Sequence, residues 1–299
     1  MQSRCRAYGL SIGSAWPIPG AMTIARDEPD YSDQADIEIL EGSAACERES
    51  FATALRCEQR GVGRYFCEDG KRIVVTPCAS VREYELLGAL IATALPAALW
   101  MRGEVVLHAA SVLFPEAGRA IAIAGPSGSG KSTILKQLVA AGASVVGDDT
   151  LCARLFDQSV QVSGLPGSYF LRRASSGSDE ERQMCPVPRE QQLACAELGT
   201  LLVLDTPRAS KDFGFRRLRG TLAMEALLRN RHRPWVPQFL RSEGVLLPKI
   251  ARFLERVAVY SWIRCEGAQA LDAREMNFLS RPLDGVARWS AKTNGGIYV

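Results

Sequence analysis

Apolar and polar positions along the chain follow two regimes that change near residue 80. Up to about residue 79, short apolar runs are broken by turn formers, as at Trp16-Pro17-Ile18-Pro19-Gly20 and from Asp30 to Asp33. Asp36-Ile37-Glu38-Ile39-Leu40 alternates with the period of a half-buried strand, and Arg72-Ile73-Val74-Val75 reads as another. Between them, Glu68-Asp69-Gly70-Lys71 supplies a turn that predicts a hairpin with Arg64-Tyr65-Phe66-Cys67. Residues 1–79 thus read as a small β-rich region without chemistry of its own, suited to a structural role or to binding a partner or peptide.

From residue 80 to 299 the pattern becomes that of an α/β domain. A helix is expected from Val81 towards Leu99, then a strand at Val105 to Leu107. Two more strands, Ala110 to Phe114 and Ala120 to Ala124, flank a turn at Pro115-Glu116-Ala117-Gly118. A helix from Lys131 to about Ala141 stops at Gly142, and Ser144-Val145-Val146 forms the next strand. Thr200 to Leu204 is a further buried strand, and helical patterns run from Leu218 to Arg229 and from Lys249 to Arg264. Strands alternating with helices predict a sheet with substantial parallel pairing.

Composition narrows the class. Apolar residues make up 47% and charged residues 23% of 299 residues, enough apolar material for a core. A net charge of +3 gives no argument for nucleic acid. The nine cysteines are scattered singly without a C-x-x-C pair, so they read as reduced thiols of a cytoplasmic protein. The apolar stretch from Leu86 to Met101 is shorter than the roughly 20 residues a bilayer needs and contains Pro96, so a buried helix, bent or ended there, is expected and no membrane partner.

The chemistry concentrates in Gly125-Pro126-Ser127-Gly128-Ser129-Gly130-Lys131-Ser132, with Thr133 following. It sits between the apolar run Ala120 to Ala124 and a good helical sequence, the strand–loop–helix setting of a P-loop. Glycines there let backbone N–H groups converge on phosphate, and the helix aims its positive end at the same place. Lys131 is expected to reach the terminal phosphates of ATP, and the Ser132 hydroxyl to ligate Mg2+. No Leu-Ser-Gly-Gly-Gln or Asn-Lys-x-Asp motif follows, so neither an ABC ATPase nor a guanine-specific GTPase is indicated.

Asp148-Asp149 ends the next strand. Brought beside the loop, one carboxylate can hold Mg2+ while the other takes a proton from an attacking hydroxyl. His108, one of two histidines, closes the strand before the P-loop strand and could hydrogen-bond an acid or a phosphate. Asp205 also ends an apolar strand, with a turn at Thr206-Pro207, but Asp148 is the better-placed metal ligand. The cationic stretch from Arg208 to Arg233 reads as a solvated face or a dock for an acidic peptide or nucleotide phosphates, with Leu222, Met224 and Leu227 as core contacts.

Leu107-His108-Ala109-Ala110, the loop from Gly125 to Ser132, and Gly142 to Asp149 together resemble the C-terminal catalytic domain of HPr serine kinase/phosphorylase. The resemblance is firm over about residues 103 to 152 and looser to about 280. It implies that His108, Lys131 and Asp149 are active-site residues, with Asp149 the general base towards an acceptor serine, Ser132 a magnesium ligand, and a homo-oligomer as the assembly. That family's further magnesium-binding glutamate lacks a counterpart, Gln161-Val162-Ser163-Gly164 being the nearest segment. Its catalytic arginine stays open among Arg172, Arg173, Arg208, Arg216 and Arg217.

The N-terminal Tyr8-Gly9-Leu10-Ser11-Ile12, Trp16 to Pro19 and Ala35 to Ile39 look like the HPr-kinase-like lasso peptide kinases. That branch implies phosphorylation of the C-terminal serine of a ribosomal peptide precursor. An HPr-directed kinase and a nucleotide-dependent switch without an acceptor are the alternatives.

Overall fold

The computed structural model describes residues 3–28, 31–42, 53–172, 182–205, 214–264 and 270–281. Asp30, Arg173, Thr206-Pro207, Arg208, Lys211, Cys46 and Cys265 lie outside them. The first seven strands, β1 (Ser3–Ala7), β2 (Leu10–Ser14), β3 (Met22–Thr23), β4 (Ile37–Glu41), β5 (Ala54–Gln59), β6 (Gly63–Glu68) and β7 (Arg72–Pro77), form one sheet in the order β3-β1-β2-β4-β7-β6-β5. The expected hairpin is β6–β7, antiparallel with Tyr65 opposite Val75. Alternation buries Ile37, Ile39, Ile73 and Val75 on one face of this sheet.

That face packs on a helix in three parts, α1 (Glu83–Ala89), a π-helical turn (Leu90–Ala94) and α2 (Leu95–Met101). The helix does not end at Pro96. The wide turn places Pro96 in the first turn of α2, where a missing N–H costs little. Pro96 offers no donor to the turn before it, and the Ala92 carbonyl takes the Arg233 Nε–H at 2.7 Å instead. The stretch Glu83–Met101 is long and apolar enough to cross a bilayer, yet most of it is buried between the two sheets.

The central sheet is built from β8 (Val105–Leu107), β9 (Ala109–Leu113), β10 (Ala120–Ala124), β11 (Ser144–Gly147), β12 (Leu151–Leu155), β13 (Val160–Ser163), β16 (Ala196–Asp205), β17 (Gly214–Leu218) and β18 (Ala258–Ile263). A separate ribbon pairs β14 (Ser168–Arg172) with β15 (Arg182–Pro186). Parallel pairing is confined to β10–β16 and β16–β18, and every other described pair of the central sheet is antiparallel. The expectation of broad parallel pairing fails because short turns join β9 to β10 and β12 to β13, and a short turn returns the chain antiparallel.

Alternation along β10 assigns its faces. Ala120, Ala122 and Ala124 join the core shared with α2, α4 (Gly220–Arg229), α5 (Trp235–Phe239) and α6 (Glu243–Arg256), while Ile121 and Ile123 meet α3 (Lys131–Ala140) on the other side. The helix expected from Lys249 to Arg264 is two elements, since α6 ends at Arg256 and β18 follows. Ala258-Val-Tyr-Ser-Trp-Ile alternates with β-branched and aromatic residues and fills the slot beside β16. Leu227 is buried and Met224 packs on the core, but Leu222 is exposed and makes no core contact.

The cationic stretch is not one surface. Arg229 pairs with Glu225, Arg231 with Glu243, Arg233 caps Ala92, and Arg217 lies over the Tyr260 ring. All seven described cysteines are free thiols.

Candidate functional site

The glycine-rich loop leaves the end of β10 and enters α3. Gly125 holds φ +153, and a Cβ there would lie 2.9 Å from Ser129 Oγ and 3.0 Å from Leu204 Cβ, so the tight passage under β16 admits only glycine. Gly130 caps α3 in the left-handed region with φ +91. A second close approach occurs at the end of β11, where a Cβ on Gly147 would lie 2.9 Å from Gly164 Cα. Removing both side chains lets the acid pair that follows Gly147 settle onto the mouth of the loop.

Lys131 is buried and spends its three donors locally. Nζ reaches the Gly125 carbonyl at 2.8 Å, the Pro126 carbonyl at 3.1 Å and His108 Nε2 at 3.0 Å. An ammonium only donates, so His108 Nε2 accepts and the ring proton sits on Nδ1. That Nδ1–H donates to the Asp149 carbonyl at 3.1 Å, and the Asp149 carboxylate lies 3.6 Å from the same nitrogen. Lys131, His108 and Asp149 are therefore one connected chain.

Asp148 occupies the other side. Its buried carboxylate accepts the Ser132 hydroxyl at 3.1 Å and the Phe170 backbone N–H at 3.1 Å. Burial pushes its carboxyl up to about 6, with the nearby Asp149 charge adding to the shift. Asp149 is the apex of a three-residue turn closed by Thr150 N–H on the Asp148 carbonyl at 2.8 Å, with φ +67. This is the positive-φ form of the γ-turn, the rarer and more strained one, and such backbone is held only where its surroundings over-determine it.

A cleft of about 230 Å³ is lined by His108, Ser127, Gly128, Gly130, Lys131, Ser132, Thr133, Asp148, Asp149, Phe170 and Leu171. It gathers the sequence-derived candidates with few exceptions. Gly125 lies beneath the loop floor, Pro126 serves through its carbonyl, and Ser129 Oγ is buried without a hydrogen-bond partner among the described residues. Asp205 stays outside the cleft lining and accepts from Ser261 Oγ at 3.3 Å. Of the open arginines, Arg216 and Arg217 stand on β17 rather than in the cleft lining.

No family model matches this chain, and no curated protein matches it. Among solved structures, the Hpr(Ser) kinase/phosphatase from Coxiella burnetii is similar. It aligns at a TM-score of 0.35 and 12% identity, over 63% of this chain and 99% of that one. A superposition that loose carries no argument, so the site stands on its own geometry.

Three residues behind the cleft escaped the sequence reading. Thr150 Oγ1 lies 2.6 Å from His232 Nδ1, and the Tyr8 hydroxyl meets Thr150. Only the adjacency of Thr150 to the acid pair and the scarcity of histidine hinted at them. Donor atoms of His108, Asp149 and His232 lie within 4.8 Å of one another. The set reads as a hydrogen-bond network rather than a metal centre. Both His108 nitrogens are committed, His232 Nδ1 faces Thr150, and the Lys131 ammonium would oppose a second cation.

Proposed function

We propose that this chain is an ATP- and Mg2+-dependent phosphotransferase whose acceptor is a serine hydroxyl on a peptide. The supporting observation is that one small cleft joins the glycine-rich loop and Lys131 to two carboxylates in distinct environments. Ser132 and Asp148 fit a magnesium ion by residue type and by their 3.1 Å contact, and a carboxylate raised by burial gains most from a cation. The ion would neutralise charge on the phosphates of the bound nucleotide. The Lys131 ammonium, which lines the cleft, suits phosphate oxygens.

In this reading Asp149 accepts the proton of the incoming hydroxyl. The acceptor oxygen bonds to the terminal phosphorus as the bridging P–O bond breaks, and its electron pair leaves with ADP. His108 orients Asp149 through its backbone carbonyl and, through Nε2, holds Lys131 against the loop. Positioning and charge neutralisation supply the rate, since phosphoryl transfer asks little covalent help of a protein. The acceptor we favour is the C-terminal serine of a ribosomal peptide precursor, which rests on the N-terminal likeness alone.

Incubating the chain with Mg-ATP and either a serine-ended precursor peptide or HPr, and scoring mass, tests the reading. Added phosphoryl mass on the peptide supports it, and mass on HPr alone redirects the acceptor. Phosphate release with no labelled acceptor makes the protein a nucleotide-hydrolysing switch.

A further inference from the structure

The β1–β2 turn reaches deep into the rest of the molecule. Tyr8 and Gly9 both hold positive φ, 55° and 68°, as a tight two-residue hairpin turn requires. An exposed turn of this kind favours Asn-Gly, whereas a bulky residue at positive φ is uncommon. Here the tip is driven into the central sheet. Tyr8 N–H donates to the Gly164 carbonyl at 3.0 Å, and the Tyr8 ring is buried.

From there a chain of hydroxyl and imidazole groups runs to the acid pair. The Tyr8 hydroxyl meets Thr150, and Thr150 Oγ1 meets His232 Nδ1 at 2.6 Å. His232 is fixed from two sides, its N–H donating to the Val106 carbonyl at 2.8 Å and its carbonyl accepting from Trp100 Nε1 at 2.7 Å. Its ring stands edge-on to His108 at 5.5 Å between centroids. Burial pushes the Tyr8 phenol up and the His232 imidazole down to about 4, so the contact is between neutral groups. Two remote segments thus converge on Thr150, the residue whose N–H closes the strained turn at Asp149.

We propose that Tyr8, Thr150 and His232 form a buried clamp that positions Asp149, making the N-terminal sheet a working part of the phosphoryl-transfer site. These are positioning residues, and the inference rests on the reading of the site given above. Without the clamp Thr150 keeps its backbone bond but loses the side-chain anchor, and the left-handed backbone at Asp149 relaxes towards commoner conformations. Loss of orientation at a reacting group acts on turnover rather than on nucleotide binding.

The test uses the full chain with Mg-ATP and water as acceptor, following phosphate release. Tyr8→Phe and Thr150→Val each remove one hydroxyl at nearly constant shape. Each should lower kcat by about tenfold or more while KM for Mg-ATP stays within about twofold. Thr150→Ser should restore most of the turnover, and the double variant should lose little beyond the worse single one. Should Thr150→Val fail to fold, Tyr8→Phe decides alone. Unchanged kcat in folded variants of an active wild type, or equal effects on kcat and KM, overturns the clamp. A wild type that neither releases phosphate nor modifies a serine-ended peptide overturns the reading of the site, and the clamp with it.

Discussion

Ser132 Oγ and the Asp148 carboxylate meet at 3.1 Å although one opens helix α3 and the other follows strand β11. The contact joins the first turn of the loop helix to a carboxylate that has little other reason to be buried. Asp148 accepts only Ser132 and backbone N–H groups, and no basic side chain pairs with it among the described residues. An anion kept in such a place costs stability, which makes it a good trap for a divalent cation.

Asp148→Asn should therefore stabilise the metal-free protein while abolishing magnesium-dependent activity. The folded carboxyl is pushed up to about 6 from the 3.8 of a free aspartate, so between about pH 4 and 6 the folded state holds a proton that the unfolded state lacks. Stability then falls as pH rises through that window, by roughly 3 kcal/mol at pH 7. Melting of wild type and Asp148→Asn in chelator at pH 4 and pH 8 checks this. The variant should melt higher at pH 8 and nearly equal at pH 4, and equal melting at both sinks the claim.

Asp149→Asn should abolish transfer and leave nucleotide binding near normal, because the carboxylate faces the cleft without contacting the loop in any described hydrogen bond. Loss of a general base costs about 10²–10⁴ in turnover. Turnover and nucleotide affinity measured side by side decide it, and undiminished transfer removes Asp149 from the chemistry.

Lys131→Ala should weaken both turnover and nucleotide affinity. Its ammonium is the one cation that ties His108 to the loop carbonyls, so the variant frees Nε2 of His108 as well as two backbone acceptors. A drop in affinity of about tenfold or more is expected from losing a charge-assisted phosphate contact. Calorimetry with a non-hydrolysable nucleotide reads it directly, and wild-type affinity contradicts the assignment.

Much of the fold was legible where periodicity was unambiguous. The alternation from Asp36 to Leu40 and the run from Ala120 to Ala124 became β4 and β10 because both patterns bury one face cleanly. The loop and acid pair were legible because each motif carries its own spacing. By contrast, β18 read as helix, since an apolar stretch after a helix continues the pattern until a neighbouring strand claims it. Thr150, His232 and Tyr8 were not legible as a group, because their partnership spans the chain and leaves no local period. At Pro96 the sequence left the helix bent or ended, and a π-helical turn carries it through, with Arg233 of a distant segment on the Ala92 carbonyl.

That arginine supplies a last prediction. Arg233 Nε holds the Ala92 carbonyl at 2.7 Å, the group that an ordinary residue in place of Pro96 could satisfy from within the helix. Arg233→Met should cost about 1 kcal/mol, the value of a partly buried hydrogen bond, seen as a lower denaturation midpoint at unchanged m-value. In a Pro96→Ala background the new N–H can serve the same turn, so the cost of Arg233→Met should shrink. A double-mutant cycle measures that coupling, and strictly additive effects would mean the arginine acts elsewhere. The site is the natural elsewhere, because Arg233 follows His232 directly and carries positive φ itself. A loss of turnover at full stability would place it with the clamp rather than with the helix.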